Sequence, residues 1–149
     1  MIIGEICDRR VPTAAGTTTV LAAAKSIHSF DERLLVVTEE RDGKPVAVGI
    51  VTARELVAVI AQEGNPWRLT LKDIMCPHPG FVTESDGALD TMCWMRRNRL
   101  RDVIVHSEGG ALLGIVSMDE LVASLADELG DTVSCAAEER PLPTRGALH

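Results

Sequence analysis

The feature that most constrains this chain is that much of it is written twice. Gly49-Ile50-Val51-Thr52-Ala53-Arg54-Glu55-Leu56-Val57-Ala58 and Gly114-Ile115-Val116-Ser117-Met118-Asp119-Glu120-Leu121-Val122-Ala123 share the pattern Gly-Ile-Val-Thr/Ser-x-x-Glu-Leu-Val-Ala at an offset of 65. Ile3-Gly4-Glu5-Ile6-Cys7 parallels Leu71-Lys72-Asp73-Ile74-Met75 at an offset of 68, and Leu35-Val36-Val37 matches Val103-Ile104-Val105 at the same 68. The step from 68 to 65 falls between two apolar runs, where residues 39–45 stand against 107–110. A hairpin loop three residues longer in the first copy is the simplest expectation. A repeat of this length dictates equivalent units that bury their apolar faces on one another.

Each copy reads as the same series of elements. A short extended stretch (residues 11–14 and 80–83) precedes a helix. In the first copy Thr17 or Thr18 is the expected N-cap, followed by Val20, Leu21, Ala24 and Ile27 at helical spacing. In the second, Asp86 precedes Leu89, Met92 and Met95. A hairpin follows, residues 34–38 with 46–51 and then 103–105 with 111–116, turned by Asp42-Gly43 and Gly109-Gly110. A second helix closes each copy, from 53 to about 62 and from 118 to about 129, with Gly64 and Gly130 as stop signals. The expected architecture is α+β, two β-α-β-β-α repeats packed with pseudo-twofold symmetry. Residues 1–65 form the first repeat, 66–130 the second, and 131–149 a flexible tail containing Pro141 and Pro143.

Each repeat alone is marginal for independent folding, whereas 149 residues can bury roughly two thirds of their unfolded surface without disulfide or metal. A hydrophobic fraction of 46% excludes a disordered chain, and no apolar run approaches the roughly 20 residues of a membrane span. The amino-terminal residues have no basic region followed by a long apolar one, so no signal peptide is expected and the cytoplasm is the expected location. The net charge of −7 argues against a nucleic-acid surface, as do only two Phe, two Trp and no Tyr.

The sequence resembles a known family at specific places. Asp73-Ile74-Met75, the run Met95-Arg96-Arg97-Asn98-Arg99-Leu100-Arg101-Asp102-Val103-Ile104-Val105, and the two Gly-Ile-Val-Thr/Ser-x-x-Glu-Leu stretches are similar to tandem CBS (cystathionine-β-synthase) domains, a Bateman module. The resemblance spans residues 1 to about 130. It implies a non-catalytic regulatory module that binds adenine nucleotides (AMP, ADP, ATP, NAD or S-adenosylmethionine) between the repeats. It implies a homodimer commonly, no required cofactor, and a regulated partner protein that the sequence does not identify. The family usually carries Asp where Glu55 and Glu120 stand, and its carboxylate holds the ribose hydroxyls; Glu is one methylene longer.

By the same resemblance, each cleft joins the Thr/Ser-x-x-Glu of one repeat to the leading residues of the other. The first would hold Thr52, Arg54 and Glu55 with Cys76, Phe81, Val82, Arg101 and Asp102. The second would hold Ser117, Asp119 and Glu120 with Asp8, Thr13, Ala14, Arg33 and Leu34. Arg54 and Arg101 favour phosphate in the first, since a guanidinium fork matches its oxygens. Asp119 and Asp8 make the second the weaker site, suited to adenosine-like ligands or left empty.

Spacing alone supports a plainer role for the same residues. Thr52-x-x-Glu55 and Ser117-x-x-Glu120 fit the capping box, in which Glu returns to the N-cap amide. The run Arg96, Arg97, Arg99 and Arg101 suits the C-terminal end of a helix, with Arg101 and Arg99 the members able to meet phosphate. Met92, Trp94 and Met95 read as core or dimer contact. Cys7, Cys76, Cys93 and Cys135 form no C-x-x-C and read as buried thiols; Cys76-Pro-His78 is a weak metal signal, so no metal site is expected. No catalytic residue is assigned, because no nucleophile–base spacing or glycine-rich phosphate loop occurs. The alternative to a sensor is a structural or protein-interaction module with non-binding clefts. A small thiol- or carboxylate-dependent hydrolase is a third possibility.

Overall fold

The computed structural model describes residues 1–77 and 80–139, with side chains described as far as residue 134. A 3-10 turn (Ile3–Glu5) is followed by β1 (Thr13–Ala15), α1 (Val20–Phe30), β2 (Leu34–Arg41), β3 (Lys44–Thr52) and α2 (Ala53–Ala61). Then come α3 (Leu71–Ile74), β4 (Cys76–Pro77), β5 (Val82–Thr83), α4 (Ala88–Arg97), β6 (Asp102–His106), β7 (Leu112–Ser117) and α5 (Met118–Glu139). The expected α+β repeat is present in both halves. β1 runs parallel to β2, which pairs antiparallel with β3, and β5-β6-β7 repeats the arrangement.

The leading segments are exchanged between the two halves. β4 pairs with β3 through Ile50↔Cys76, so residues that follow the first repeat complete its sheet. Asp8 does the same for the second sheet, its N–H donating to Ile115 O at 2.8 Å while Ile115 N–H returns to Asp8 O at 3.0 Å. Val20 N–H donates to Leu69 O and Leu71 N–H to Thr18 O; in the second half, Ala88 N–H donates to Met1 O and Ile3 N–H to Asp86 O. Each bond in one set maps on its counterpart at the offset of 68 seen in the sequence. The packed units therefore do not coincide with the linear repeats. Ile3, Val82, Met95, Val103 and Leu121 share one core, and Val20, Leu35, Val51, Leu56 and Leu71 share the other.

A third apolar layer joins the units. Leu34, Val36 and Ala47 from one sheet meet Ile104 and Ile115 from the other, all at 5% exposure or less. Side chains alternate across a strand, so Leu35 and Val37 face the helices of their own unit while Leu34 and Val36 face the other sheet. Both faces of β2 are thus buried, and its uninterrupted Leu34-Leu35-Val36-Val37 run follows from that. Burying a side chain of this size stabilises by about 1.5–3 kcal/mol, so the inter-sheet layer holds the halves in contact.

Glycine in the repeated Gly-Ile-Val motif has a steric cause. A Cβ on Gly49 would sit 2.7 Å from Cys76 O, and one on Gly114 would overlap Asp8 O. The exchanged segment crosses the strand at that point, and only a residue without a side chain admits it.

Three local expectations are corrected, for the first hairpin, the start of α1 and the end of α5. The first hairpin is not a longer loop: Asp42 and Gly43 (φ 52° and 75°) make a two-residue turn, and its strands have eight and nine residues against five and six in the second. The second hairpin turns over five residues, 107–111, so longer strands and a shorter turn leave the net difference of three. The N-cap of α1 is Thr19, whose Oγ accepts from Ala22 N–H at 3.2 Å, because Gly16 and Thr18 are occupied in bonding the exchanged segment. Gly87 is the N-cap of α4, while Asp86 accepts from Thr83 N–H at 2.8 Å in the turn before it. Finally, α5 runs through Gly130 to Glu139. A glycine costs an exposed helix about 1 kcal/mol, which is too little to stop one whose neighbours favour helix. Residues 140–149, the rest of the expected tail, lie outside the described residues.

Gly114→Ala should therefore lower stability by about 1–3 kcal/mol, as overpacking against backbone does. Gly130→Ala, with nothing within 4 Å of the added Cβ, should raise it by about 0.5–1 kcal/mol. Urea unfolding followed by far-UV circular dichroism measures both, and the opposite signs distinguish the crossing glycine from the helical one.

Candidate functional site

The repeated Thr/Ser-x-x-Glu sits where a strand ends and a helix begins, at the β3–α2 and β7–α5 junctions. The first turn of a helix leaves amide donors unpaired, and there the sequence provides acceptors. Thr52 N–H donates to Glu55 Oε2 at 2.6 Å, Thr52 Oγ donates to the same oxygen, and Arg54 N–H donates to Thr52 Oγ at 3.3 Å. In the second copy Ser117 N–H and Oγ both donate to Glu120 Oε2 at 2.8 Å, and Glu120 N–H donates to Ser117 Oγ at 3.2 Å. Both boxes are formed.

The exchanged segments make the two junctions unlike. Cys76 Sγ donates to Glu55 Oε1 at 3.3 Å, so both carboxylate oxygens of Glu55 are engaged. Asp8 occupies the corresponding place in the other half, and its carboxylate accepts from Arg10 N–H at 2.9 Å. Among the described residues Glu120 Oε1 accepts no hydrogen bond. Burial pushes the Glu55 carboxyl up, but the bonds from the Thr52 hydroxyl, the Thr52 amide and the Cys76 thiol outweigh it and hold the group below the usual carboxylate range. The Cys76 thiol is pushed up by burial, by its bond to Glu55 and by the charge there, with Arg54 opposing.

A cavity of about 320 Å³ opens beside Ser117, lined by Arg33, Leu100, Arg101, Ser117, Met118 and Asp119. A smaller one of about 80 Å³ adjoins Asp8, Arg10, Arg33, Leu34 and Ile115. Arg33 lines both. Of the residues expected in the second cleft, Asp8, Arg33, Leu34, Ser117 and Asp119 line these cavities, and Glu120 is bonded to Ser117. Thr13 is exposed on the β1 edge, and Ala14 packs into the first core. Of the first set, Thr52, Arg54, Glu55 and Cys76 are joined by hydrogen bonds. Arg101 lines the Ser117 cavity and accepts Met118 N–H on its carbonyl, and Asp102 is ion-paired with Arg33 at 2.7 Å. Val82 is buried in the second core, and Phe81 stacks edge-on against His106 with ring centroids 4.5 Å apart.

One expectation about individual side chains changes. Cys76 and Cys93 are exposed, not buried, while Cys7 is intermediate; the Cys135 side chain and His78 lie outside the described residues. Arg99 takes the left-handed position after α4 (φ 56°), as Asp31 does after α1, and its N–H donates to Arg96 O. Trp94 is partly buried against the second core, beside fully buried Met95. Leu100, Met118 and Arg10 were not anticipated; each stands within two residues of an expected one in the chain, the only signal the sequence carries for them. Among the described residues no group of three or more His, Cys, Asp or Glu could hold a metal ion, and no helix is long and apolar enough to cross a membrane. Another cavity, about 450 Å³, lies over the far end of the first hairpin with Lys72 and Met75 and includes none of the Thr/Ser-x-x-Glu residues.

Comparison with known proteins fixes the family. The CBS domain model matches residues 3–62 and 71–127. The chain belongs to the CBS domain family. An uncharacterised protein of Methanopyrus kandleri is 28% identical over 135 residues, covering 85% of this chain and 67% of that protein. The CBS domain pair of protein MJ0100, solved in complex with 5′-methylthioadenosine and S-adenosyl-L-methionine, superposes with a TM-score of 0.71 at 19% identity, over 86% of this chain and 98% of that one. A CBS domain protein from Pyrobaculum aerophilum complexed with AMP gives 0.70 at 22% identity, over 85% and 99%. These two likenesses establish the fold, a CBS domain pair.

Glu55 is lower in pKa folded than unfolded, so its bonds add stability above the unfolded value, about 4.3. That contribution is lost as the pH falls through the folded value. Glu55→Gln can still close the capping box but has no charge to lose. Its unfolding free energy should therefore fall less than the wild type's between about pH 5 and 3. Chemical denaturation at stepped pH checks this; parallel profiles would contradict it.

Proposed function

We propose that the protein is a non-catalytic regulatory module that binds an adenine nucleotide between its two CBS repeats. The observation that carries the reading is the cavity beside Ser117 at a helix start, which is lined by Arg33 from one repeat and Arg101 from the other. Two guanidinium groups, a hydroxyl and the first amides of α5 form a phosphate-attracting set. Glu120 retains one carboxylate oxygen for ribose hydroxyls, and Leu34 and Ile115 supply apolar surface beside it. The cavity volume lies at the lower end of the range for small-ligand sites. The relatives solved with AMP, S-adenosylmethionine and methylthioadenosine support the ligand class.

The ranking of the clefts follows the bonds. Charge read from the sequence favours the Thr52 cleft because it pairs Arg54 with Arg101. With Arg101 beside Ser117, that advantage passes to the second cleft. Glu55 must also release Thr52 and Cys76 before it can bind a ribose, whereas Glu120 need release nothing. The Thr52 cleft, with Thr52, Arg54, Glu55 and Cys76, is the secondary site. AMP, ADP, ATP, NAD and S-adenosylmethionine are the candidate ligands. The closed capping boxes favour one competing reading, an interaction module whose clefts do not bind.

Isothermal titration with AMP and adenosine separates the two. AMP should bind, Arg101→Ala should weaken it about tenfold, as loss of one charge-assisted contact does, and adenosine should change less than about twofold. Asp119→Ala should not weaken AMP. Absence of both heat and a melting shift at millimolar AMP, ATP, NAD and S-adenosylmethionine would leave only the interaction module.

We also propose a homodimer. Val57 and Ile60 on α2 and Val122 on α5 are 62%, 73% and 51% exposed, and Val57 and Val122 are equivalent positions of the repeat. A twofold-related second copy would cover both apolar helix faces together. Sedimentation equilibrium should give twice the chain mass of 16.0 kDa, and Ile60→Glu should return the protein to a single chain.

A further inference from the structure

Arg33 is held by a carboxylate that has little other compensation. Its Nη1 lies 2.7 Å from Asp102 Oδ1, with the Arg33 side chain 59% exposed and that of Asp102 only 10%. Asp102 Oδ1 takes no hydrogen bond among the described residues, so the Arg33 charge is what offsets its burial. Asp102 stands directly across the β6–β7 ladder from Ser117, and both Ser117 and Arg33, the ion-pair partner of Asp102, line the proposed nucleotide cavity. The corresponding ladder pair in the first repeat is Leu34 and Thr52, and Leu34 is buried between the sheets. The carboxylate thus belongs to one half of the pseudo-symmetric pair. The ion pair also ties the repeats together, because Arg33 belongs to the first and Asp102 to the second.

We propose that Arg33 selects ligands by charge. An anionic ligand, of the class of a 5′-phosphorylated adenosine, draws Arg33 from Asp102, so that ligand binding and the cross-repeat ion pair oppose each other. A guanidinium presents one planar fork, and phosphate and carboxylate compete for the same geometry. Asp102, nearly buried in its strand, cannot follow the arginine, and two anions sharing one cation at close range repel. Arg101, the counterpart of Arg33 in the repeat, makes no ion pair among the described residues and has no such competitor. Neutral adenosine brings no anion to the fork and leaves the pair closed. The charge of the ligand is thereby converted into the presence or loss of a contact between the repeats, which tight binding alone would not achieve.

This rests on the nucleotide reading of the Ser117 cavity, and the test separates the two. AMP and adenosine are titrated calorimetrically into the wild type, Asp102→Asn and Arg33→Lys, each checked by circular dichroism for a native fold. Asp102→Asn keeps the shape and removes the competing charge. It should tighten AMP by about threefold or more and leave adenosine within about twofold. Arg33→Lys, which keeps the charge but loses the fork, should weaken AMP by about fivefold and spare adenosine. AMP affinity in Asp102→Asn that is unchanged or weaker, with the wild type binding normally, overturns the competition and leaves the nucleotide reading standing. A wild type that binds neither compound overturns both.

Discussion

The arrangement depends on one steric constraint, the close crossing of a backbone segment over a glycine in each half. Asp8 lies across Gly114 and Cys76 across Gly49, each too near for any Cβ. Through these crossings residues 1–8 complete the second sheet and residues 69–77 complete the first. Neither unit is whole without chain from the other end of the repeat. Units of about 60 residues seldom bury enough surface to fold alone, and exchange turns two marginal bodies into one cooperative one. The same crossings place Cys76 and Asp8 beside Glu55 and Ser117, so that the steric device also decides what chemistry each cleft contains.

Between the units lies an apolar layer with a charged margin. Leu34, Val36, Ala47, Ile104 and Ile115 supply attraction that depends little on direction. The Arg33–Asp102 pair at the margin is directional, and its burial is uneven. A nearly buried carboxylate beside a mobile guanidinium contributes little net stability but depends steeply on what approaches it. The layer therefore holds the halves together, and the ion pair adds a directional contact at its margin.

The fold was legible because the repeat supplies each element twice, so that a weak signal in one copy is supported by the other. The principal helices, the two hairpins and the capping boxes followed from spacing, whereas the parallel pairing of β1 with β2 and of β5 with β6 did not. What spacing could not convey was partner identity. Nothing local in Ile3-Gly4-Glu5 or Leu71-Lys72-Asp73 distinguishes packing on its own repeat from packing on the other. Glycine misled once for a related reason: Gly130 has the composition of a helix stop, but no left-handed backbone is required there and α5 continues. Arg101 carried no signal for which cleft it lines, because it stands at the start of a central strand between both. Its placement depends on the bond from Met118 N–H to its own carbonyl, a tertiary detail.

Duplication leaves the two clefts equal in backbone and unequal in side chain, and the inequality has a direction. In the first, Cys76 completes the bonding of Glu55 and Leu34 faces Thr52 across the ladder, so the junction is closed and apolar. In the second, Asp8 turns to Arg10, Glu120 keeps an open oxygen, and Asp102 faces Ser117 with an arginine that has been brought from the other repeat. A site whose groups are already satisfied offers a ligand little, since each new bond replaces an old one. A site with one open acceptor and a contested cation offers a ligand both a vacancy and a contact to break. On the proposed reading, the second is therefore the cleft suited to differential affinity for two arrangements of the repeats, which a sensor requires. A few side-chain differences between the copies are therefore enough to separate a junction with both carboxylate oxygens bonded from one with an open acceptor within a single backbone plan.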